Sequence, residues 1–260
     1  MQELRLPYAR QIDTPFPLIN AVLANIQDGK IFELENEIEL FYIINKAGFS
    51  YITKRDAVDY SVVLNFLLYS KDIPDYFHLY DPPAQFIELC SKKIEEVNIK
   101  NRRRIQLKFR NPKTKFEELL AGKNTITPIT ENNFKTLSIF NLSLESKFWK
   151  SEEDFEKNSF GYCVFNEKDL PVSICYAACV VNNTAEIDVA TLPEYKKKGY
   201  AKLAVTAFVE HCCSHGITAN WDCFEENISS LKTAESIGFD YIMTYNFLSV
   251  FNKRKNHETH

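Results

Sequence analysis

Long apolar runs are missing from this chain: nowhere does it approach the ~18 consecutive apolar residues that a bilayer-spanning helix needs. It lacks an N-terminal apolar core of the kind seen in secretory leaders. Neither membrane insertion nor secretion is therefore expected. Internal repeats and low-complexity tracts are absent as well. So is an excess of positive charge: 31 Lys and Arg stand against 35 Asp and Glu, a net charge of −4, which argues against a general nucleic-acid binder. The even cysteine set of a disulfide framework is also lacking. Seven cysteines are present, and Cys163, Cys175, Cys179 and Cys223 lie inside strand-like apolar runs, as the reduced thiols of a cytoplasmic protein do. Cys212 and Cys213 stand beside His211 and His215. Adjacent helical residues point in different directions, however, and no second ligand pair exists, so no metal is expected.

What the chain does have is apolar material, 45% of its residues, and a length of 260 that exceeds the usual single domain of about 100–200 residues. Two domains are expected: an N-terminal α/β domain over 1–115 and a second over 125–252. In the first, Pro15-Phe16-Pro17 leads into a helical segment from Leu18 to Ile26, ended by Asp28-Gly29. Phe41–Ile44 and Phe49–Ile52 read as strands around a Lys46-Ala47-Gly48 turn. Helices are predicted over Asp59–Tyr69 and Pro83–Val97. Residues 100–115 carry eight Lys or Arg and no acid, with Ile105, Leu107 and Phe109 alternating as in a strand. That run reads as nucleic-acid contact or as a solvated, aggregation-resistant strand edge. Pro112–Asn124 is the expected linker.

The second domain is predicted to open with a strand and helix over Thr127–Leu142, followed by an acidic helix, Glu152–Asn158. Strands Gly161–Phe165 and Pro171–Val181 flank a polar turn, and a last strand covers Tyr241–Phe251. Between them lies the most informative segment, Glu186 to Ala201, EIDVATLPEYKKKGYA. Ile187 and Val189 alternate with Glu186, Asp188 and Ala190 as in a strand, and Pro193 ends the ladder by removing a donor. Lys196, Lys197 and Lys198 surround the loop with positive charge, and Gly199 allows close backbone approach. From Ala201 to Ser214, Leu203, Ala204, Ala207, Phe208 and Cys212 recur at helical spacing. A strand, a basic loop and a helix start present N–H groups and a positive dipole end to one point, which suits a pyrophosphate.

At these residues the chain resembles the GNAT acetyltransferase superfamily, whose acetyl-CoA loop reads Arg/Gln-x-x-Gly-x-Gly/Ala. Lys196, Gly199 and Ala201 match it, with lysine as a mild departure. A second block, Trp221-Asp222-Cys223 followed by Asn227, Ser230 and Gly238-Phe239, stands at the distance the superfamily uses. The wording is closest to the zwittermicin A resistance type, over roughly 125–250. The resemblance implies an α/β (α+β) fold, the GNAT acetyltransferase fold with a mixed, mainly antiparallel sheet, beside the N-terminal α/β domain. It further implies that the backbone of Val189, Ala190 and Thr191 lies along the pantetheine of acetyl-CoA. The N–H groups of Lys197, Lys198, Gly199, Tyr200, Ala201 and Lys202 would hold the pyrophosphate. Asn227 would bond the pantetheine arm with Ser230 one turn on, while also reading as a helix N-cap.

Acetyl transfer to an amine requires a polarised acyl carbonyl, a neutral amine, alignment, and protonation of the leaving thiolate. Two carboxylates read as candidate general bases, Glu186 on the strand before the loop and Asp222 on the next strand. Each also reads as a structural acid, and Trp221 as core. The helix position where many superfamily members carry a proton-donating tyrosine is Ala234 here, which leaves Tyr200, Tyr245, a water or bulk solvent for that role. The expected function is acetyl-CoA-dependent N-acetylation of a small amine, such as an antibiotic or amino-acid-like compound, with a protein amine as another acceptor. Non-catalytic acyl-CoA binding is the alternative class.

Overall fold

A computed structural model describes residues 2–3, 12–33, 40–53, 58–112, 124–130, 134–140 and 147–254. In chain order the elements are β1 (Gln2–Glu3), α1 (Pro17–Leu23), β2 (Gly29–Glu33), β3 (Phe41–Asn45), β4 (Phe49–Ile52), α2 (Tyr60–Tyr69), β5 (Tyr76–Tyr80), α3 (Ala84–Lys92) and β6 (Val97–Phe109). There follow β7 (Thr125–Pro128), α4 (Glu152–Asn158), β8 (Gly161–Phe165), β9 (Pro171–Val181), β10 (Thr184–Thr191), α5 (Tyr200–Ser214), β11 (Thr218–Phe224), α6 (Ile228–Ile237) and β12 (Phe239–Asn252). Among the described residues no helix is long and apolar enough to cross a membrane.

The chain forms two compact units, Met1–Arg104 with Tyr245–His260, and Ile105–Thr244. The sequence reading put a single boundary at the linker between 115 and 125. Instead the chain leaves the first unit inside β6 and re-enters it inside β12, because both strands are long enough to serve two cores. Most of the expected linker, 113–123, lies outside the described residues.

In the first unit β1, β2, β3 and β4 pair antiparallel in that order, and β5 joins β4 in parallel over Phe49↔His78 to Tyr51↔Tyr80. The end of β12 pairs antiparallel with β5, Phe247↔Tyr80 to Phe251↔Tyr76. Val63, Leu64 and Leu67 of α2 and Phe86 and Cys90 of α3 share one core with Phe77, Leu79, Leu248 and Val250. Asp59 caps α2, its Oδ1 accepting from Ser61 N at 2.9 Å. Helix α1 stops three residues before Ile26. Asn25 turns left-handed (φ 57°), and the N–H groups of Asn25 and Ile26 close on Val22 O and Ala21 O, a Schellman stop. Helix α3 is likewise shorter than expected, since residues 93–97 turn into β6. Strands β2 and β5 were not anticipated.

In the second unit β7, β8, β9 and β10 form an antiparallel sheet, β11 adds parallel to β10, and β6 lies next to β11. Phe134–Phe140 forms a 3₁₀ turn where an α-helix was expected. Ala204, Val205, Phe208 and Cys212 of α5 pack with Cys175, Ala177, Ala185 and Ile187, and Ala234 and Ile237 of α6 complete this core. The basic run 100–115 is largely β6, with Leu107 and Phe109 buried in the same core.

The units share one order of elements. Each runs helix, three-stranded antiparallel meander, helix, strand, helix and long final strand: α1, β2–β4, α2, β5, α3, β6 and then α4, β8–β10, α5, β11, α6, β12. In each, the third meander strand pairs in parallel with the next strand over three residue pairs. Each sheet is then extended by the final strand of the other set. This repetition is one of topology and leaves no trace in the residue sequence.

Candidate active site

Strands β10 and β11 pair only at Thr184↔Thr218, Ala185↔Ala219 and Glu186↔Asn220, although β10 continues to Thr191 and β11 to Phe224. The partner strand β9 stays in register along β10, apart from an extra residue, Ala178, opposite the Glu186/Ile187 step. Alternate residues of a strand turn their N–H and C=O groups to opposite neighbours. Beyond Glu186, every second residue of β10 therefore offers backbone groups to the side that β11 has left. Exposure changes at the same point, from buried at Ala185–Ile187 to half-buried at Asp188–Thr191. The result is a cleft with a polar backbone edge, formed by Val189, Ala190 and Thr191 among others.

The cleft edge leads through a 3₁₀ turn, Pro193–Tyr195, to the start of α5. Lys197 (φ 62°) and Gly199 (φ 87°) are both left-handed, and Gly199 is the N-cap residue of a helix that no side chain caps. The first-turn N–H groups at Tyr200, Ala201 and Lys202 thus point out of the helix end without a capping acceptor. Lys196, Lys197 and Lys198 are exposed around it. A Cβ at Gly199 would meet nothing within 4 Å, so the glycine is required by its backbone angle and not by crowding from the protein. Tyr195 anchors the turn: its hydroxyl accepts from Asn166 Nδ2 at 3.3 Å, and its ring meets Tyr200 edge-on at 5.9 Å. Uncapped donors, left-handed residues and lysines together fit a pyrophosphate.

Asn227 caps α6, its Oδ1 accepting from Ser230 N at 3.2 Å and Ser229 Oγ at 2.9 Å. The side chain is exposed, and its Nδ2 is left for a further acceptor. Ser230 Oγ accepts from Trp221 Nε1 at 3.0 Å, so this hydroxyl ties helix to strand, and Trp221 is core, meeting Phe239 at 5.4 Å. Ala234 is fully buried beside these residues. Gly238 (φ 127°) lies against Asn111, whose carbonyl oxygen a Cβ would strike. Of the tyrosines considered as proton donors, Tyr200 stays at the loop. Tyr245 belongs to the first unit, packed on Phe16 at 5.0 Å and Tyr80 at 6.0 Å.

Three carboxylates line the cleft strands. Glu186 is buried at the last paired rung, where it accepts from Asn220 Nδ2. Asp222, half-buried, lies two residues beyond Asn220 on the same face of β11. The third, Asp188, was not singled out in the sequence. Its Oδ2 accepts from the Tyr176 hydroxyl at 2.6 Å and from Lys147 Nζ at 2.8 Å. Burial and the neighbouring Asp188 charge push the Tyr176 phenol well above its ordinary pKa, so it remains a donor. Nothing in the spacing around Asp188 announces this set, since Lys147 is brought in from 41 residues away.

All seven cysteines are free, and only Cys213 is exposed. His211 is engaged by the Tyr162 hydroxyl at 3.0 Å and stacks on Phe160 and His215. Among the described residues no group of three or more His, Cys, Asp or Glu side chains is placed to hold a metal.

The comparisons agree with this geometry. Residues 84–248 match the family model for GNAT acetyltransferases. The uncharacterized N-acetyltransferase YdfB of Bacillus subtilis (strain 168) is 32% identical over 117 residues, 45% of this chain and 44% of that protein, so the matched stretch spans less than half of this relative. A GCN5-related N-acetyltransferase-like protein from Streptococcus suis 89/1591 superposes with a TM-score of 0.71 at 18% identity, covering 91% of this chain and 93% of that one. A GNAT-family putative acetyltransferase from Novosphingobium aromaticivorans DSM 12444 gives 0.60 at 16% identity, covering 93% and 100%. With a sheet that parts beside an uncapped, glycine-entered helix, and a family match over most of its length, this chain belongs to the GNAT acetyltransferase family.

Proposed function

We propose that the protein is an acetyl-CoA-dependent N-acetyltransferase acting on the amine of a small molecule. The observation that carries this reading is the parting of β10 from β11 after three rungs, next to the helix start at Gly199. Bound there, acetyl-CoA would supply an activated acyl group. The chain's own part is to bind and align. N–H groups from Lys197 to Lys202 and the charges of Lys196–Lys198 hold the phosphates, Val189–Thr191 provide a backbone edge for the pantetheine, and Asn227 offers its amide. Glu186 or Asp222 takes the proton of the amine, directly or through a water. The wording of the cofactor strand and the Trp221 block favours the zwittermicin A resistance type, and with it an antibiotic or amino-acid-like acceptor. Seven free, mostly buried thiols support a reducing, cytoplasmic setting.

A second reading, non-catalytic acyl-CoA binding, is favoured by Ala234, which is fully buried and carries no proton to give. Thiol release from acetyl-CoA across a panel of amines, run beside calorimetric acetyl-CoA binding, separates the two. Amine-dependent release is expected. Binding without release would select the second reading, and the absence of both would overturn the two together.

A further inference from the structure

We propose that the sheet face of the first unit on which Phe49, Tyr76, His78 and Phe251 stand beside Arg102 and Arg104 is a docking surface for single-stranded RNA. The acetyl transfer proposed above does not use this face, and the inference stands apart from it.

Four strands meet here in the order β4, β5, β12, β6. Phe49 is level with His78, and Tyr76 with Phe251, so these side chains share one face. Helices α2 and α3 take the opposite face through Phe77, Leu79, Leu248 and Val250. On the ring face His78 meets Tyr76 at 4.8 Å, Phe247 at 5.0 Å and Phe49 at 5.3 Å. The Arg104 guanidinium lies 4.8 Å over Phe247. Lys100, Arg102 and Arg104 fall at every second position of β6 and so share one side of it. Phe16 covers one end of the face, stacked on Tyr80 at 4.6 Å. Towards the other end the rings open to solvent, with Tyr76 52% and Phe251 37% exposed.

A single strand presents unpaired bases with π faces and a phosphate on every nucleotide, and rings set beside cations recognise both. Residues 49–52, 76–80, 97–104 and 245–252 contain no Asp or Glu, so these strand segments bring no carboxylate to repel phosphate. The net charge of −4 is a sum over the whole chain, whereas this face is cationic. The same cations act on His78. Burial, then Arg104 and Arg102, lower its pKa to about 4, so near neutrality it is an uncharged ring. Ser249 Oγ engages its Nδ1 at 2.9 Å and fixes the ring in place. A duplex, whose bases are already stacked, has no such faces to offer. In the cytoplasmic setting proposed above, single strands are chiefly RNA.

The test is fluorescence anisotropy of the full chain with a fluorescein-labelled, mixed-sequence RNA of about twelve nucleotides, beside the same RNA annealed to its complement. Preferential binding of the single strand is expected, with log K falling against log salt at a slope of about −2 for three phosphate contacts. Tyr76→Ala should weaken it about five-fold or more, and Tyr76→Phe should not. Lys100→Gln, a surface change, should weaken it and make the slope shallower by about 0.7. Acetyl-CoA affinity should stay unchanged in all three variants. No binding at low salt, equal or tighter binding of the duplex, or wild-type affinity in Tyr76→Ala would each overturn the surface. A dimer in sedimentation that Tyr76→Ala dissolves would assign the face to a second copy instead. Should Tyr76→Ala fold poorly, Lys100→Gln carries the test, and an unchanged salt slope there overturns the proposal.

Discussion

Asn220 reaches across the last rung shared by β10 and β11 and donates its side-chain N–H to the buried Glu186 carboxylate. One rung further the strands have parted. The pair therefore marks the floor of the cleft: below it the two backbones satisfy each other, and above it they are left for a ligand.

Glu186 and Asp222 can be told apart by pH. A general base matters while the acceptor amine is still protonated, so its loss is felt most near neutrality. Glu186→Gln, which keeps an acceptor for Asn220, is expected to lower turnover by about 10²–10⁴-fold with acetyl-CoA affinity little changed. Raising the pH towards the amine's own pKa should restore part of the rate. If Asp222→Asn shows this pattern instead, the assignment moves there; near-normal turnover in both variants would exclude both carboxylates.

At Gly199 the demand is on the backbone. Its φ of 87° lies where a residue with a Cβ is strained, by roughly 1–2 kcal/mol for one residue. Gly199→Val should abolish acetyl-CoA binding in calorimetry while circular dichroism stays native. A folded variant with unchanged affinity would remove the phosphate site from this loop.

The first unit has the same order of elements, yet the start of its corresponding helix, α2, already holds an anion. Helix α2 carries its own anion, the Asp59 carboxylate on Ser61 N, and residues 53–59 contain no glycine. A second negative group would be repelled there. Calorimetry should give one acetyl-CoA per chain, and a stoichiometry of two would contradict this account.

His78 sets an acid limit for the first unit. Burial, then the charges of Arg104 and Arg102, bring its pKa from 6.5 down to about 4. The folded imidazole stays neutral while the unfolded one accepts a proton near 6.5, so stability falls as pH drops from 6.5 towards 4 and is unaffected by this group above 6.5. His78→Phe keeps a ring against Phe247 and should flatten that part of the melting-temperature profile. An unchanged slope would assign the acid limb to other groups.

The strand, turn and helix around Gly199 were legible because they are local. Strand, basic loop, glycine and helix follow one another in the chain, and Gly161–Phe165 and Pro171–Val181 are apolar runs bounded by polar turns, so their limits could be read from sequence. Asp188 was not legible, because its meaning depends on Tyr176 and Lys147, which only folding brings to it. Strand β5, Tyr76–Tyr80, failed to declare itself for a related reason: its residues gain their role from β4 and β12, one near in sequence and one far. Exchange of the final strands is a matter of partners, and periodicity reports only faces.

That exchange has a consequence for synthesis. The outer edge of β5 is closed by Phe247–Phe251, and 140 residues, Ile105 to Thr244, must be made between the two segments of the first unit. At ribosomal speeds this leaves an aromatic strand edge unpaired for on the order of ten seconds or more. The first unit, although translated first, can finish its sheet only after the second has emerged. Damage to the last strand would therefore appear as misfolding at the opposite end of the chain, and such chains are the ones a chaperone would meet.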